Sequence, residues 1–365
     1  MTFKLERLVR RNIRDLKPYS SARSEFVGTA EVFLDANENS FGSPAGPGYN
    51  RYPDPLQTTL KARIAPIKQV LPSQIFIGNG SDEAIDLLFR VFCEPGRDEV
   101  IICPPTYGMY RVSAEINDVA VREVLLTDDF QLNVAAIKRA LTERTKLIFV
   151  CSPNNPTGDL MRHESMIELA ESFDGIIVVD EAYIDFAGDA SLTGEIGRIP
   201  NLVVLQTFSK AWGMAGIRVG LAYADQSIVD LMNRVKPPYN VSEIAQDAVI
   251  RALADRSTIE KWIGDIISER ERLQIALDKL QIVKKVYPSS ANFILAKFTD
   301  ANAVYDALID QKIVVRNRSN VEFCDGCLRI TVGTATENDR LIATLEMIEN
   351  TENVPATTAS GDVKI

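Results

Sequence analysis

Leu202-Val-Val-Leu-Gln-Thr-Phe-Ser-Lys210-Ala-Trp-Gly-Met-Ala-Gly-Ile-Arg218-Val-Gly220 reads as a short apolar strand, Leu202–Gln206, followed by a glycine-containing turn and a second strand, Arg218–Ala222. The strand carries a lysine just past its end, and the turn closes on an arginine. Outward from this stretch the pattern recurs. Short branched runs at Ile75–Ile77, Val100–Cys103, Ala120–Leu125, Leu147–Cys151 and Ile176–Val179 alternate with helical periodicity, which argues for a mostly parallel sheet covered by helices. Ser81 reads as the N-cap of one such helix, with Ile85, Leu88 and Phe92 facing inward.

Open parallel sheets bind ligands at the C-terminal ends of their strands, so the residues following each run carry the chemical information. After Ile75–Ile77 stands Gly78-Asn-Gly80-Ser81-Asp82 at a helix start, which reads either as a tight turn or as an anion site built from free N–H groups. After Leu147–Cys151 stands Ser152-Pro-Asn-Asn155-Pro-Thr-Gly158, a turn stiffened by two prolines. After Ile176–Val179 stands Asp180-Glu-Ala-Tyr183, a carboxylate ending a buried strand with a phenol three residues on. Each has an ordinary structural reading alone; together they place four chemically distinct groups at one sheet edge.

Composition narrows the chemistry. The chain has 365 residues, 46% hydrophobic and 25% charged, enough for a large domain with a smaller companion. A formal net charge of −10 repels phosphate backbones and anionic lipid, so neither nucleic acid nor a membrane surface is an expected partner. Met1–Lys17 is charged throughout, and no apolar run approaches the ~20 residues of a membrane span, so the cytoplasm is the expected location. The five cysteines are too scattered for a disulfide framework, and Cys324-Asp-Gly-Cys327 lacks the further ligands of a zinc site; no metal is expected. The single histidine, His163, opens an ordinary amphipathic helix, so acid–base work falls to Lys, Tyr, Asp or Glu.

Taken together, and in this order along nearly the whole chain, these residues resemble the fold-type I pyridoxal-phosphate aminotransferases, and within them the histidinol-phosphate aminotransferase family. The resemblance implies pyridoxal 5'-phosphate held as a Schiff base on Lys210, with Asp180 paired to the pyridine nitrogen and Tyr183 and Asn155 on the ring oxygen. It implies Tyr107, in Pro105-Thr-Tyr-Gly-Met-Tyr110, stacked on the ring, and Gly80, Ser81, Asp82, Ser209 and Arg218 around the phosphate. Tyr52, in Arg51-Tyr-Pro-Asp, resembles the tyrosine that reaches into the neighbouring subunit of a homodimer.

The same resemblance implies small-molecule substrates, histidinol phosphate and glutamate or 2-oxoglutarate, whose anionic groups share a pocket formed by Arg329 and Arg316 with Tyr19, Tyr239 and Asn37. Arg318 competes with Arg316 for that role. An aromatic amino acid aminotransferase is the rival within the fold, and a catalytically idle binding protein on the same scaffold the rival from another class. Ser40 and Trp212-Gly213 depart from the family's usual residues. The expected architecture is α/β: a large domain over 46–250 with a mostly parallel central sheet, and a smaller α/β domain over 251–352. Residues 1–45 are expected to form an amino-terminal arm and part of the smaller domain, Ser242 to about Leu280 a long helical segment, and 353–365 a disordered tail.

Overall fold

The computed structural model of the chain describes residues 3–19 and 30–352; the expected tail lies outside them. Seven strands form the main sheet: β1 Ile75–Asn79, β2 Glu99–Ile102, β3 Ala120–Glu123, β4 Thr145–Cys151, β5 Ile176–Asp180, β6 Leu202–Thr207 and β7 Val219–Ala224. Their order is β1-β7-β6-β5-β4-β2-β3. The run from β6 to β3 is parallel, and β7 is antiparallel to both β6 and β1. β4, β5 and β6 are almost wholly buried, as their unbroken Val/Ile/Leu runs require of strands covered on both faces.

The reversed direction of β7 positions the site. It brings the start of β7 to the same edge as the ends of β1, β5 and β6, with Gly220 opposite both Gly78 and Thr207. Arg218, drawn from sequence as the first residue of this strand, instead takes a left-handed conformation (φ 59°) just before it. The helix Gly80–Phe92 begins two residues earlier than expected, with Asn79 rather than Ser81 at its N-cap. Gly80 is drawn to β7, donating its N–H to the Arg218 carbonyl at 3.0 Å, while Glu83 accepts the Asn79 backbone N–H. Ile85, Leu88 and Phe92 are fully buried, as their spacing predicts.

Two compact units divide the chain. One runs from the amino terminus to Asn155 and continues over Asp159–Ile263; the other comprises Pro156–Gly158 and the residues from Gly264 onward. The amino-terminal residues correct one expectation: Val9 and Ile13 are buried in the core of the larger unit, beneath the helix Gly80–Phe92, rather than in the smaller one. The segment read as one long helix is two, Glu243–Ala254 and Arg256–Leu277, interrupted at Asp255 (φ −111°, ψ 46°). The smaller unit has a four-stranded antiparallel sheet, β8 Val283–Val286, β9 Phe293–Phe298, β10 Arg316–Asn317 and β11 Cys327–Thr331, in the order β10-β11-β9-β8. Its core joins Ile294, Ala296 and Ile330 to Leu273, Leu277, Leu341 and Leu345 from the flanking helices. Cys327 opens β11 and Cys324 lies in the preceding turn, both buried and free. No helix among the described residues is long and apolar enough to cross a membrane.

Among the glycines of the larger unit, Gly220 makes the closest backbone approach. A Cβ there would lie 2.1 Å from the Ser81 backbone nitrogen and 2.2 Å from the Gly80 carbonyl carbon, atoms that cannot swing aside. Gly220→Ala is expected to lower stability by about 3 kcal/mol or more in urea unfolding, the upper range of overpacking. Gly216→Ala, with no atom within 4 Å of the added carbon, should stay within about 0.5 kcal/mol of the parent; equal effects would refute this account of the β7 contact.

Candidate active site

The strand ends of the larger unit enclose a cleft of about 240 Å³ lined by Gly80, Ser81, Asp82, Tyr107, Asn155, Asp180, Tyr183, Ser209, Lys210 and Arg218, joined by Cys151, Ala182 and Thr207. Ten residues singled out from sequence thus meet in one cavity although they come from five separate segments.

One end of the cleft is built to hold an anion. The first N–H groups of the helix Gly80–Phe92 have no partners within the helix and carry the positive end of its dipole. Arg218 reaches across them: its guanidinium donates to Ser209 Oγ at 3.4 Å and lies 3.4 Å from the Asp82 carboxylate. Gly80 is required here by its φ of 73°, and a Cβ would sit 2.6 Å from Arg218 Nη2, so that the guanidinium would have to move.

The deep end is a buried carboxylate. Asp180 closes β5 and is 3% exposed. Its Oδ1 accepts the Ala182 N–H at 3.0 Å, and its Oδ2 accepts the hydroxyl of Tyr110 at 2.8 Å. Burial, the dominant effect, pushes its carboxyl up to about 6, against the pull of these two donors. The next residue, Glu181, occupies a separate cage of Ser191 Oγ, the Leu192 N–H and Gln206 Nε2, and burial raises it to about 7. Two adjacent acids therefore have separate surroundings, and only Asp180 lines the cleft.

Lys210 stands between these ends, exposed, with Nζ 5.4 Å from the centre of the Tyr183 ring. Asn155 Nδ2 donates to the Tyr183 hydroxyl at 3.4 Å, joining the β4 and β5 ends. Tyr107 donates to Asp82 Oδ1 at 3.2 Å and meets Tyr110 edge-on. Trp212, the departure noted in sequence, donates its indole N–H to Asp185 at 3.2 Å, and Asp185 also pairs with Lys68.

The remaining sequence-derived residues lie outside this cleft. Tyr52, half exposed, stacks on Tyr239 with ring centroids 4.4 Å apart, and its N–H is held by Glu38, which also pairs with Arg51 at 2.7 Å. Asn37 is exposed with a φ of 54°, and Tyr19 is exposed. In the smaller unit the register sets Arg316, not Arg318, opposite Arg329, whose guanidinium carbon lies 5.2 Å from the centre of the Phe293 ring.

Sequence reasoning missed Tyr110. The signal was available in the motif that contains it: a tyrosine in the first turn of an amphipathic helix, three residues from Tyr107, needs an acceptor for its hydroxyl when buried.

The raised proton affinity of Asp180 has a measurable sign. Its folded value, about 6, lies above the usual 3.8, so its contribution favours the fold at low pH and is lost as the pH rises through about 6. In cofactor-free protein, stability measured relative to Asp180→Asn should fall by roughly 3 kcal/mol between about pH 3 and pH 7. Parallel pH profiles in urea unfolding would contradict the buried setting described for this carboxyl.

Comparison with known proteins converges on the same chemistry. The chain is 50% identical over 346 residues to the histidinol-phosphate aminotransferase of Cytophaga hutchinsonii, covering 95% of this chain and 99% of that protein. It is 51% identical over 344 residues to that of Bacteroides fragilis, covering 94% and 98%. Among solved structures, the histidinol-phosphate aminotransferase of Sinorhizobium meliloti in complex with pyridoxal-5'-phosphate matches with a TM-score of 0.77 at 26% identity, covering 87% of this chain and 90% of that one. The cleft suits such a cofactor: the helix start with Arg218 and Ser209 offers a phosphate cradle, Asp180 a partner for a protonated ring nitrogen, and Lys210 an amine for an aldehyde. The family model described as aminotransferase class I and II spans residues 24–345, and with this agreement between sequence, fold and cleft the chain belongs to the class I and II aminotransferases.

Proposed function

We propose that the chain transfers an amino group between L-histidinol phosphate and 2-oxoglutarate, giving imidazole acetol phosphate and L-glutamate, a step of histidine biosynthesis. The observation that carries this reading is the 50% identity over 95% of the chain to a protein of that name. The opposed Arg316 and Arg329 support it, because one arginine-rich pocket must accept both a phosphate ester and the carboxylate of glutamate. Tyr19, Asn37 and Tyr239 are assigned as further substrate-binding residues.

Pyridoxal phosphate, when bound, supplies a carbonyl carbon that condenses with amines and a cationic ring that accepts the electrons released at the substrate's Cα. The chain's own residues do the rest. Arg218, Ser209 and the N–H groups of Ser81 and Asp82 bind the phosphate at the helix start, with Gly80 keeping the approach clear. Asp180 would keep the ring nitrogen protonated, Tyr107 would cover the ring, and Asn155 and Tyr183 would hydrogen-bond its oxygen. Lys210 would hold the cofactor's aldehyde carbon, and its free amine would be the base that carries the proton from the substrate's Cα. No histidine is needed.

The functional unit in this reading is a cytoplasmic homodimer, with Tyr52 reaching the neighbouring site. In its support, the segment before Tyr52 exposes Val32, Leu34 and Phe41, large apolar side chains of the kind that mark interaction surfaces.

A single half-reaction tests the assignment. Holoenzyme mixed with histidinol phosphate should lose its visible absorbance rapidly, and with phenylalanine slowly or not at all. Conversion by phenylalanine alone would move the activity to aromatic amino acids. Asp180→Asn should retain the cofactor while turnover falls at least about a hundredfold; full activity would remove Asp180 from its role.

A further inference from the structure

We propose that Tyr110 is a positioning residue of the reaction, its hydroxyl pinning the Asp180 carboxylate toward the ring nitrogen of the bound cofactor. The inference rests on the assignment of Asp180 to that nitrogen. Tyr110 is fully buried, in the helix Met109–Ile116, and its hydroxyl donates to Asp180 Oδ2 at 2.8 Å. Its ring is clamped, stacked on Phe149 at 4.8 Å and 16° and met edge-on by Tyr107 at 5.5 Å and 84°. Phe149 in turn stacks on Phe89 at 5.4 Å. The position of the hydroxyl is therefore set by core packing, and the carboxylate is held to it; with the Ala182 N–H on the other oxygen, the plane of the carboxylate is fixed from two sides.

The pin also acts on charge. Desolvation favours the protonated carboxyl, and a protonated Asp180 cannot pair with a protonated ring. The charged and titratable groups facing it are Asp82, which makes its ionisation harder, Lys210, which makes it easier, and the hydroxyls of Tyr107 and Tyr110 with the Cys151 thiol. Tyr110 favours the ionised form by direct donation. Burial and the nearby carboxylate hold its own proton well above the ordinary tyrosine range, so the donor persists across all working pH.

The experiment titrates cofactor-free parent and Tyr110→Phe with pyridoxal phosphate, and with the analogue in which carbon replaces the ring nitrogen, from about pH 5 to 9. The substitution keeps the aromatic packing and removes only the hydroxyl. For pyridoxal phosphate, the acid limb of affinity should move upward by about one pH unit or more in Tyr110→Phe, the tenfold expected for losing a hydrogen bond to a buried charge. The analogue shares the phosphate and aldehyde, so its affinity should be the same for both proteins. An unmoved acid limb, or equal weakening for both ligands, would overturn the proposal. Asp180→Asn and the double variant Tyr110→Phe/Asp180→Asn should bind pyridoxal phosphate alike; a further loss in the double variant overturns it too. If Asp180→Asn keeps the parent's preference for pyridoxal phosphate over the analogue, the assignment of Asp180 itself is what fails.

Discussion

The site depends on one close approach, that of Gly220 in β7 to the backbone of Gly80 and Ser81. Because β7 runs against its neighbours, the residue preceding it emerges at the edge where parallel strands end, and the absent side chain lets a helix start press against it. The anion-binding end of the cleft follows from this contact: Arg218 is delivered from one side and the helix start from the other, with Gly80 between them. A cationic side chain and a helix dipole are thereby brought together by backbone geometry alone.

At the opposite end of the cleft the constraint is dielectric rather than steric. Asp180 and Glu181 are consecutive and both deeply buried, yet they have divergent tasks. Glu181 is enclosed by donors that stitch β5 to β6 and the Ser191–Leu192 turn. Asp180 has two donors and an open side. An acid with incomplete solvation waits for a cation, and the cleft is where one can arrive.

Much of this was legible in the sequence because strand ends are local. Lys210, Asp180, Asn155 and the Gly80–Asp82 stretch each follow a short branched run, and the fold only has to align the runs for the residues to meet. What remained hidden depends on distance along the chain. The acceptor of Tyr110 lies 70 residues away, and the stacking of Tyr52 on Tyr239 joins two loops that no periodicity relates. That Arg316 rather than Arg318 stands opposite Arg329 turns on β10, a strand of two residues, too short to announce itself. The reversal of β7 and the burial of Val9 and Ile13 in the larger unit are likewise decided by packing, since neither the direction of a strand nor the destination of an arm is written in its own residues.

The turn that carries Lys210 is sewn down on every side. Phe208 donates to Val219, Ser209 to Thr207, Gly213 to the Lys210 carbonyl and Met214 to Phe208, while Trp212 is tied to Asp185. The backbone beneath the lysine is thus a fixed pivot, and any travel of its amine comes from its four-carbon stem alone. The lysine amine thus swings on a rigid mount, along an arc set by rotations about the bonds of its own stem.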